Sequence, residues 1–300
     1  MFKVSMTKPI PPLRIVLSGG GIRGLSYVGV FLELEERGLL KHVKEIIGVS
    51  CGALFGFAYI IGYTPNELLE FVVNFDFSLI QNIEPDTALE FLYQYGIDDK
   101  IQLKKLLYSL LKNKGYDIYI TFINLYNKTN YIFRCYATNL NICILEEFSY
   151  IKTPDVIVVD ALLASMCIPG YFIPSIINGI MYVDGGLINN FPIDLIPIND
   201  LKDTFGFTFS EDHTNVKTIE TIEQFFYQVY ACLYIPYKQE MLKILKHRIF
   251  IIKCGDYPMW NFNAPKEQRL NLINLGKEAV RDYFNLNTFV VKPKRRYSIG

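Results

Sequence analysis

Ser50 stands between two glycines in Gly48-Val49-Ser50-Cys51-Gly52, after the short run Glu45-Ile46-Ile47 and before the helix-length apolar run Ala53 to Ile60. A β-favouring run, a serine with a glycine two residues to each side, and an apolar helix make the sequence form of a nucleophile elbow. The glycines have a steric reason: a sharp strand-to-helix turn brings neighbouring backbone so close that side chains at Gly48 and Gly52 would clash. Ser50 would then lie at a helix N-terminus, where the dipole favours developing negative charge. Alone, the pentapeptide arises by chance in roughly one chain of this length in ten. Its weight rests on what accompanies it.

A second glycine cluster lies one helix earlier, in Ser18-Gly19-Gly20-Gly21-Ile22-Arg23-Gly24. Successive glycines let backbone N–H groups turn toward a common point and form an anion-binding nest beside a helix N-terminus. Gly19, Gly21 and Gly24 also satisfy G-x-G-x-x-G. A dinucleotide site, however, needs an acidic residue at the end of the second strand to hold the ribose hydroxyls. Gly48-Val49-Ser50 occupies that place, which favours the hydrolase reading. A nucleophile beside an oxyanion-binding nest is the machinery of acyl transfer.

The flanking elements bring the two clusters together. Leu13 to Leu17 is a β-favouring run leading into the glycine loop, after which Leu25, Val28 and Leu32 fall on one helical face. Glu33, Glu35, Glu36 and Arg37 read as the solvated face, and Gly38 as the helix stop. With Glu45 to Val49 this closes a right-handed βαβ unit. Parallel strands put their carboxyl ends on one sheet edge, so the nest and Ser50 lie side by side.

Serine needs a base, and the chain has three histidines, His42, His213 and His247. A G-x-S-x-G hydrolase runs in the order Ser, Asp, His, so His213 or His247 nominally completes a triad. Their settings argue against it. His42 precedes the elbow in a helix-to-strand connection, His213 lies in the polar run Glu211 to Thr214, and His247 adjoins Lys246 and Arg248.

At these residues the chain resembles the patatin-like phospholipase family. The resemblance rests on Gly19-Gly20-Gly21-Ile22-Arg23-Gly24, on Gly48-Val49-Ser50-Cys51-Gly52, on the block Ala164 to Pro174, and on Asp184-Gly185-Gly186, in that order over roughly residues 13 to 200. It departs from the family in Ser18, where many members have Asp, and in Cys51 after the serine. It implies an α/β three-layer sandwich with a central, mostly parallel sheet flanked by helices. It also implies a Ser-Asp dyad, Ser50 as nucleophile and Asp184 as general base, with the backbone of Gly19, Gly20, Gly21, Arg23 and Gly24 as the oxyanion loop. The Arg23 side chain reads as structural. An unperturbed Asp has a pKa of about 3.9, so burial in an apolar pocket would have to raise it. The implied activity is lipid acyl hydrolysis, phospholipase A-like or lysophospholipase-like, without metal or cofactor. A Ser-His-Asp esterase and a silent lipid-binding module are the alternatives.

Residues 1–12 read as an N-terminal extension, 13–200 as the catalytic core, and 201–300 as strands and helices completing the same domain. Thr64-Pro65-Asn66-Glu67 signals a helix start, and Ile101 to Leu111 an amphipathic helix expected to pack against the sheet. Thr121-Phe122-Ile123, Tyr131 to Ala137, Met181 to Val183, Thr204 to Phe209 and Arg248 to Ile252 read as strands, and Ala137 to Leu140 with Ile142 to Phe148 resembles the hairpin that the family places before its helix. Helices are expected over Asp155 to Ala164, Ile219 to Lys246 and Glu267 to Phe284.

The chain has 300 residues, 51% of them hydrophobic and 20% charged, which marks a globular protein able to bury a large core. Thirty basic and 30 acidic residues cancel, removing any global attraction to nucleic acid. Six scattered cysteines without a C-x-x-C pair argue against zinc or a disulfide framework and fit buried thiols in a reducing compartment. No signal peptide or membrane span is expected, so the residues predict a cytoplasmic protein. Peripheral membrane contact through the aromatics of residues 225–237 or the basic tail Lys292 to Arg296 stays an option, although aromatics at helical spacing are more often core.

Overall fold

In the computed structural model, residues 10–82, 91, 93–210, 218–220, 225, 228–229, 231–232, 248–255, 257, 259 and 262–288 are described. Arg14–Leu17 (β1) pairs in parallel on both edges, with Glu45–Val49 (β2) and with Thr204–Phe209 (β7). Strands covered on both faces are buried along their length: β2 and β7 are buried at every position, β7 by alternating Phe205, Phe207 and Phe209 with Thr204, Gly206 and Thr208. The remaining strands are Ile132–Asn139 (β3), Ile144–Ser149 (β4), Ser175–Ile177 (β5), Ile180–Asp184 (β6) and Ile249–Ile252 (β8). Among the described residues the sheet has eight strands, of which β3, β2, β1, β7 and β8 run parallel, while β4, β5 and β6 are antiparallel to their partners.

The pairing around β3 positions the site. β4 covers one edge of β3 from Arg134 to Asn139. A strand has two edges, so β2, paired as far as Tyr136, and β6, paired from Ala137, must share the other edge end to end.

The helices are Ser26–Glu36 (α1), Cys51–Ile60 (α2), Pro65–Asn74 (α3), Ile101–Asn113 (α4), Phe122–Thr129 (α5), Val158–Ser165 (α6), Gly186–Asn189 (α7) and Lys266–Thr288 (α8). On one sheet face, Ile15, Leu17, Ile46, Phe205 and Phe207 pack with α1, α2, α6 and α8 in the main core. On the other, Val16, Ile47, Val49 and Ile249 meet Phe191, Ile193 and Ile196 around the 3-10 turn Pro192–Leu195. A mixed, mostly parallel sheet thus lies between a deep helical layer and a thin layer of short turns.

Two sequence expectations change here. Thr121 to Ile123 is not a strand: Thr121 caps α5, its hydroxyl accepting from Asn124 N–H at 3.4 Å. Glu33 is not solvated but buried, because α8 returns over α1 and brings Arg281 to Glu33 at 2.8 Å, with Arg37 at 2.8 Å on the other oxygen. The two helices cross at glycines. A Cβ on Gly29 would lie 1.8 Å from the Ile273 carbonyl oxygen, and one on Gly276 1.9 Å from that of Ser26.

α3 starts with a full capping box: the Thr64 hydroxyl accepts from Glu67 N–H, and the Glu67 carboxylate accepts from Thr64 N–H at 2.7 Å. α4, expected on the sheet, rests instead on α6 and on the 3-10 turn Phe77–Ile80, one layer further out. The helix expected over 155–164 starts at Val158. Most of the segment expected as a helix over 219–246, the basic tail, His213 and His247 lie outside the described residues.

Candidate active site

β2 ends at Val49 and α2 starts at Cys51, leaving Ser50 alone to make the turn with φ 54° and ψ −126°. Positive φ in a residue with a side chain is strained, and such strain persists only where the surroundings enforce it. A Cβ on Gly48 would lie 2.5 Å from Ala53 N, and one on Gly52 2.4 Å from the Leu17 carbonyl oxygen. The Ser50 N–H donates to Ser165 Oγ at 3.0 Å, which fixes the turn against the end of α6. Ser50 is 7% exposed.

Asp184 ends β6 opposite Ala137, and Val49 ends β2 opposite the preceding residue, Tyr136. Because β2 and β6 meet end to end on β3, Ser50 and Asp184 come together at that junction. Asp184 is 3% exposed. Its N–H donates to the Cys167 carbonyl at 2.7 Å, its own carbonyl accepts from Thr138 Oγ1 at 3.0 Å, and its carboxylate accepts from Gly186 N–H at 2.8 Å. Gly185 passes so close to β3 that a Cβ would lie 2.5 Å from the Tyr136 carbonyl oxygen.

The glycine loop packs against the same junction. A Cβ on Gly19 would lie 3.1 Å from Ser50 Cβ and 2.2 Å from Asn190 Oδ1, and one on Gly24 2.7 Å from Cys51 Sγ. Gly21 takes φ 55° under the Met259 carbonyl, which accepts from Ile22 N–H at 2.8 Å. Not every N–H of the loop is available to an oxyanion. Gly19 N–H donates to the Asn190 carbonyl at 3.1 Å and Arg23 N–H to the Gly20 carbonyl at 3.2 Å. The Gly20 N–H faces the Cys51 thiol, and that of Gly21 has no backbone acceptor among the described residues. The Arg23 side chain is buried and donates through Nε to the Tyr257 carbonyl at 2.8 Å.

Beside Ser50 lies an apolar pocket of about 70 Å³, with Leu54, Phe55, Met166, Ile168, Phe172 and Phe262 among its walls. Cys51 and Cys167 flank the centre; burial pushes both thiols up, and proximity to Asp184 adds to the shift in each. Both therefore stay protonated near neutral pH.

Three residues that hold this geometry escape sequence reasoning. Ser165 lies within the block 164–174 already singled out, but its role depends on α6 ending at the elbow. Asn190 follows the aspartate motif closely and reaches back across the sheet to Gly19, donating to its carbonyl at 2.9 Å. Lys100 is buried, with Nζ donating to the Ile173 carbonyl, to Ser175 Oγ at 2.8 Å and to Cys167 Sγ at 3.3 Å. It ties down the segment whose Cys167 carbonyl receives Asp184.

The profile of the patatin-like phospholipase family matches residues 15–196, and the chain belongs to that family. It is 32% identical over 188 residues to the probable lipid hydrolase 463L of invertebrate iridescent virus 6, spanning 63% of this chain and 64% of the viral protein. It is 27% identical to the uncharacterized protein R571 of Acanthamoeba polyphaga mimivirus, over 89% of this chain and 92% of that one. Among solved structures, VipD from Legionella pneumophila superposes with a TM-score of 0.58 at 17% identity, covering 92% of this chain and 67% of VipD.

Proposed function

We propose that this protein hydrolyses fatty-acyl esters of phospholipids or related acyl lipids, as a phospholipase A or lysophospholipase, through an acyl-serine intermediate. The carrying observation is the end-to-end meeting of β2 and β6 on β3, which puts Ser50 beside Asp184 next to the glycine loop and an apolar pocket. Membership of the family and the likeness to a viral lipid hydrolase support the same reading.

In the proposed cycle Asp184 takes the Ser50 proton as Oγ attacks the ester carbonyl. The Gly20 and Gly21 N–H groups hold the oxyanion, and the α2 dipole favours its charge. Collapse expels the alcohol, which receives the proton from Asp184. Water then attacks the acyl-serine while Asp184 takes its proton, and the fatty acid leaves with Ser50 restored. No step calls for a metal.

The test is fatty acid release from phospholipid vesicles in the presence of EDTA. Ser50→Ala and Asp184→Asn are each expected to lower kcat by about 10⁴-fold; full activity in Ser50→Ala refutes the mechanism. A His triad is disfavoured for His42, which precedes β2 while Ser50 follows it, about 16 Å of strand away. For His213 and His247, the double alanine variant is expected to retain activity. Labelling of Ser50 by a fluorophosphonate excludes a silent lipid-binding module.

Among the described residues no helix is long and apolar enough to cross a membrane. On the proposed reading the protein is cytoplasmic and meets its substrate peripherally, which vesicle co-sedimentation with and without residues 292–300 tests.

A further inference from the structure

The apolar pocket at Ser50 is small, about 70 Å³, and it does not end in bulk protein. Behind it, between α3 and α4, runs an open groove of about 630 Å³. Ile80 and Leu106 line both. Small-molecule pockets typically measure about 300–1,000 Å³, so the inner pocket has room for only the start of a long acyl chain, whereas the groove has room for the rest.

The groove has the chemistry for that. Phe71 and Phe75 stack at 4.8 Å between centroids and, with Leu110, give it apolar walls. Polar residues, Glu67, Glu70, Lys105 and Asn113, stand along the same groove. On α4, Gln102, Lys105, Leu106, Ser109, Leu110 and Asn113 recur at helical spacing, so one stripe of the helix lines it from end to end.

We propose that the α3–α4 groove is the distal half of the acyl-binding site, and that Ile80 and Leu106 form a gate selecting long-chain over short-chain acyl groups. The inference rests on the lipid acyl hydrolase reading and names the part of the substrate it discriminates. A short acyl group is held entirely on the Ser50 side of the gate. A long one displaces the two side chains and lays its tail in the groove.

The test compares kcat/KM for palmitoyl and butyryl p-nitrophenyl esters. Ser109 is exposed on α4 and lines the groove but not the Ser50 pocket, so Ser109→Trp fills the groove from outside. It is expected to lower the palmitoyl-to-butyryl ratio by about tenfold or more, with butyryl hydrolysis within about twofold of the parent. Leu106→Ala, which opens the gate, is expected to raise the ratio. A readout free of turnover is palmitate binding to the Ser50→Ala protein by calorimetry, expected to weaken by about tenfold when Ser109→Trp is added. Unchanged ratios and unchanged palmitate affinity overturn the proposal, as does equal loss of both esters in Ser109→Trp. Absence of any ester hydrolysis together with groove-dependent palmitate binding refutes the hydrolase reading and leaves the acyl groove standing.

Discussion

Asn190 grips Gly19 by two of its polar groups: its main-chain carbonyl accepts the Gly19 N–H at 3.1 Å, and its side-chain amide donates to the Gly19 carbonyl at 2.9 Å. The loop after β1 is therefore set by a residue just beyond the aspartate motif, and the proposed oxyanion donors and base move as one piece. Asn190→Ala is expected to lower kcat by about 10²-fold, the scale set by a misplacement of about 1 Å, with little change in KM. Steady-state kinetics and a melting curve check this. A purely structural role would show as lost stability with normal kcat in the folded fraction.

Lys100 supplies a second brace. Lys100→Met leaves the Ile173 carbonyl and Ser175 Oγ without their buried donor. It is expected to destabilise the protein by about 2–3 kcal/mol, measured as a lower denaturant midpoint at unchanged slope. Unchanged stability would mean that the 167–175 segment holds itself.

Glu67 tests the electrostatics of α3. Its hydrogen bonds and ion pair with Lys114 at 2.7 Å, together with the N–H of Thr64, hold the carboxyl down to about 2. The unfolded value is about 4.3, so the stabilisation is complete above that pH and is lost as pH falls toward 2. Solvent screening keeps it under about 1 kcal/mol. Glu67→Gln preserves the capping geometry and removes the charge; its stability deficit at neutral pH is expected to close between pH of about 4.3 and 2.

The cysteines make an opposite prediction from their sequence context. Cys51, Cys135, Cys167 and Cys254 are buried as expected, but Cys143 and Cys232 are exposed. Burial raises the Cys51 and Cys167 thiols, so iodoacetamide at neutral pH is expected to modify Cys143 and Cys232 first and leave hydrolysis intact. Peptide mass spectrometry against residual activity checks it; inactivation that tracks Cys51 labelling refutes it.

The glycine loop, elbow and capping box were legible because each is written in neighbouring residues, where a turn or a close approach dictates the residue type. β1 and β2 were legible as β-favouring apolar runs beside the glycine turns, and β7 by its β-branched and aromatic content. Thr121 to Ile123 misled because three β-favouring residues say less than the capping hydroxyl at their start. Glu33 misled because its burial depends on α8, which arrives far later in the chain. Ser165, Asn190 and Lys100 act across the fold on partners that local pattern cannot name. The joint occupancy of one edge of β3 by β2 and β6 is a property of register, which composition does not encode.

The glycine loop is seated by the carbonyls of Tyr257 and Met259, and α1 behind it by Gly276 of α8. A nascent chain therefore carries Ser50 and Asp184 well before it can hold the loop that would serve them. At about 5–20 residues per second, roughly 4–15 seconds of translation separate Asp184 from Met259. On the proposed mechanism the ribosome-bound protein in that interval has its nucleophile but not its seated loop, so synthesis itself delays the onset of lipid cleavage until Tyr257 and Met259 have been made.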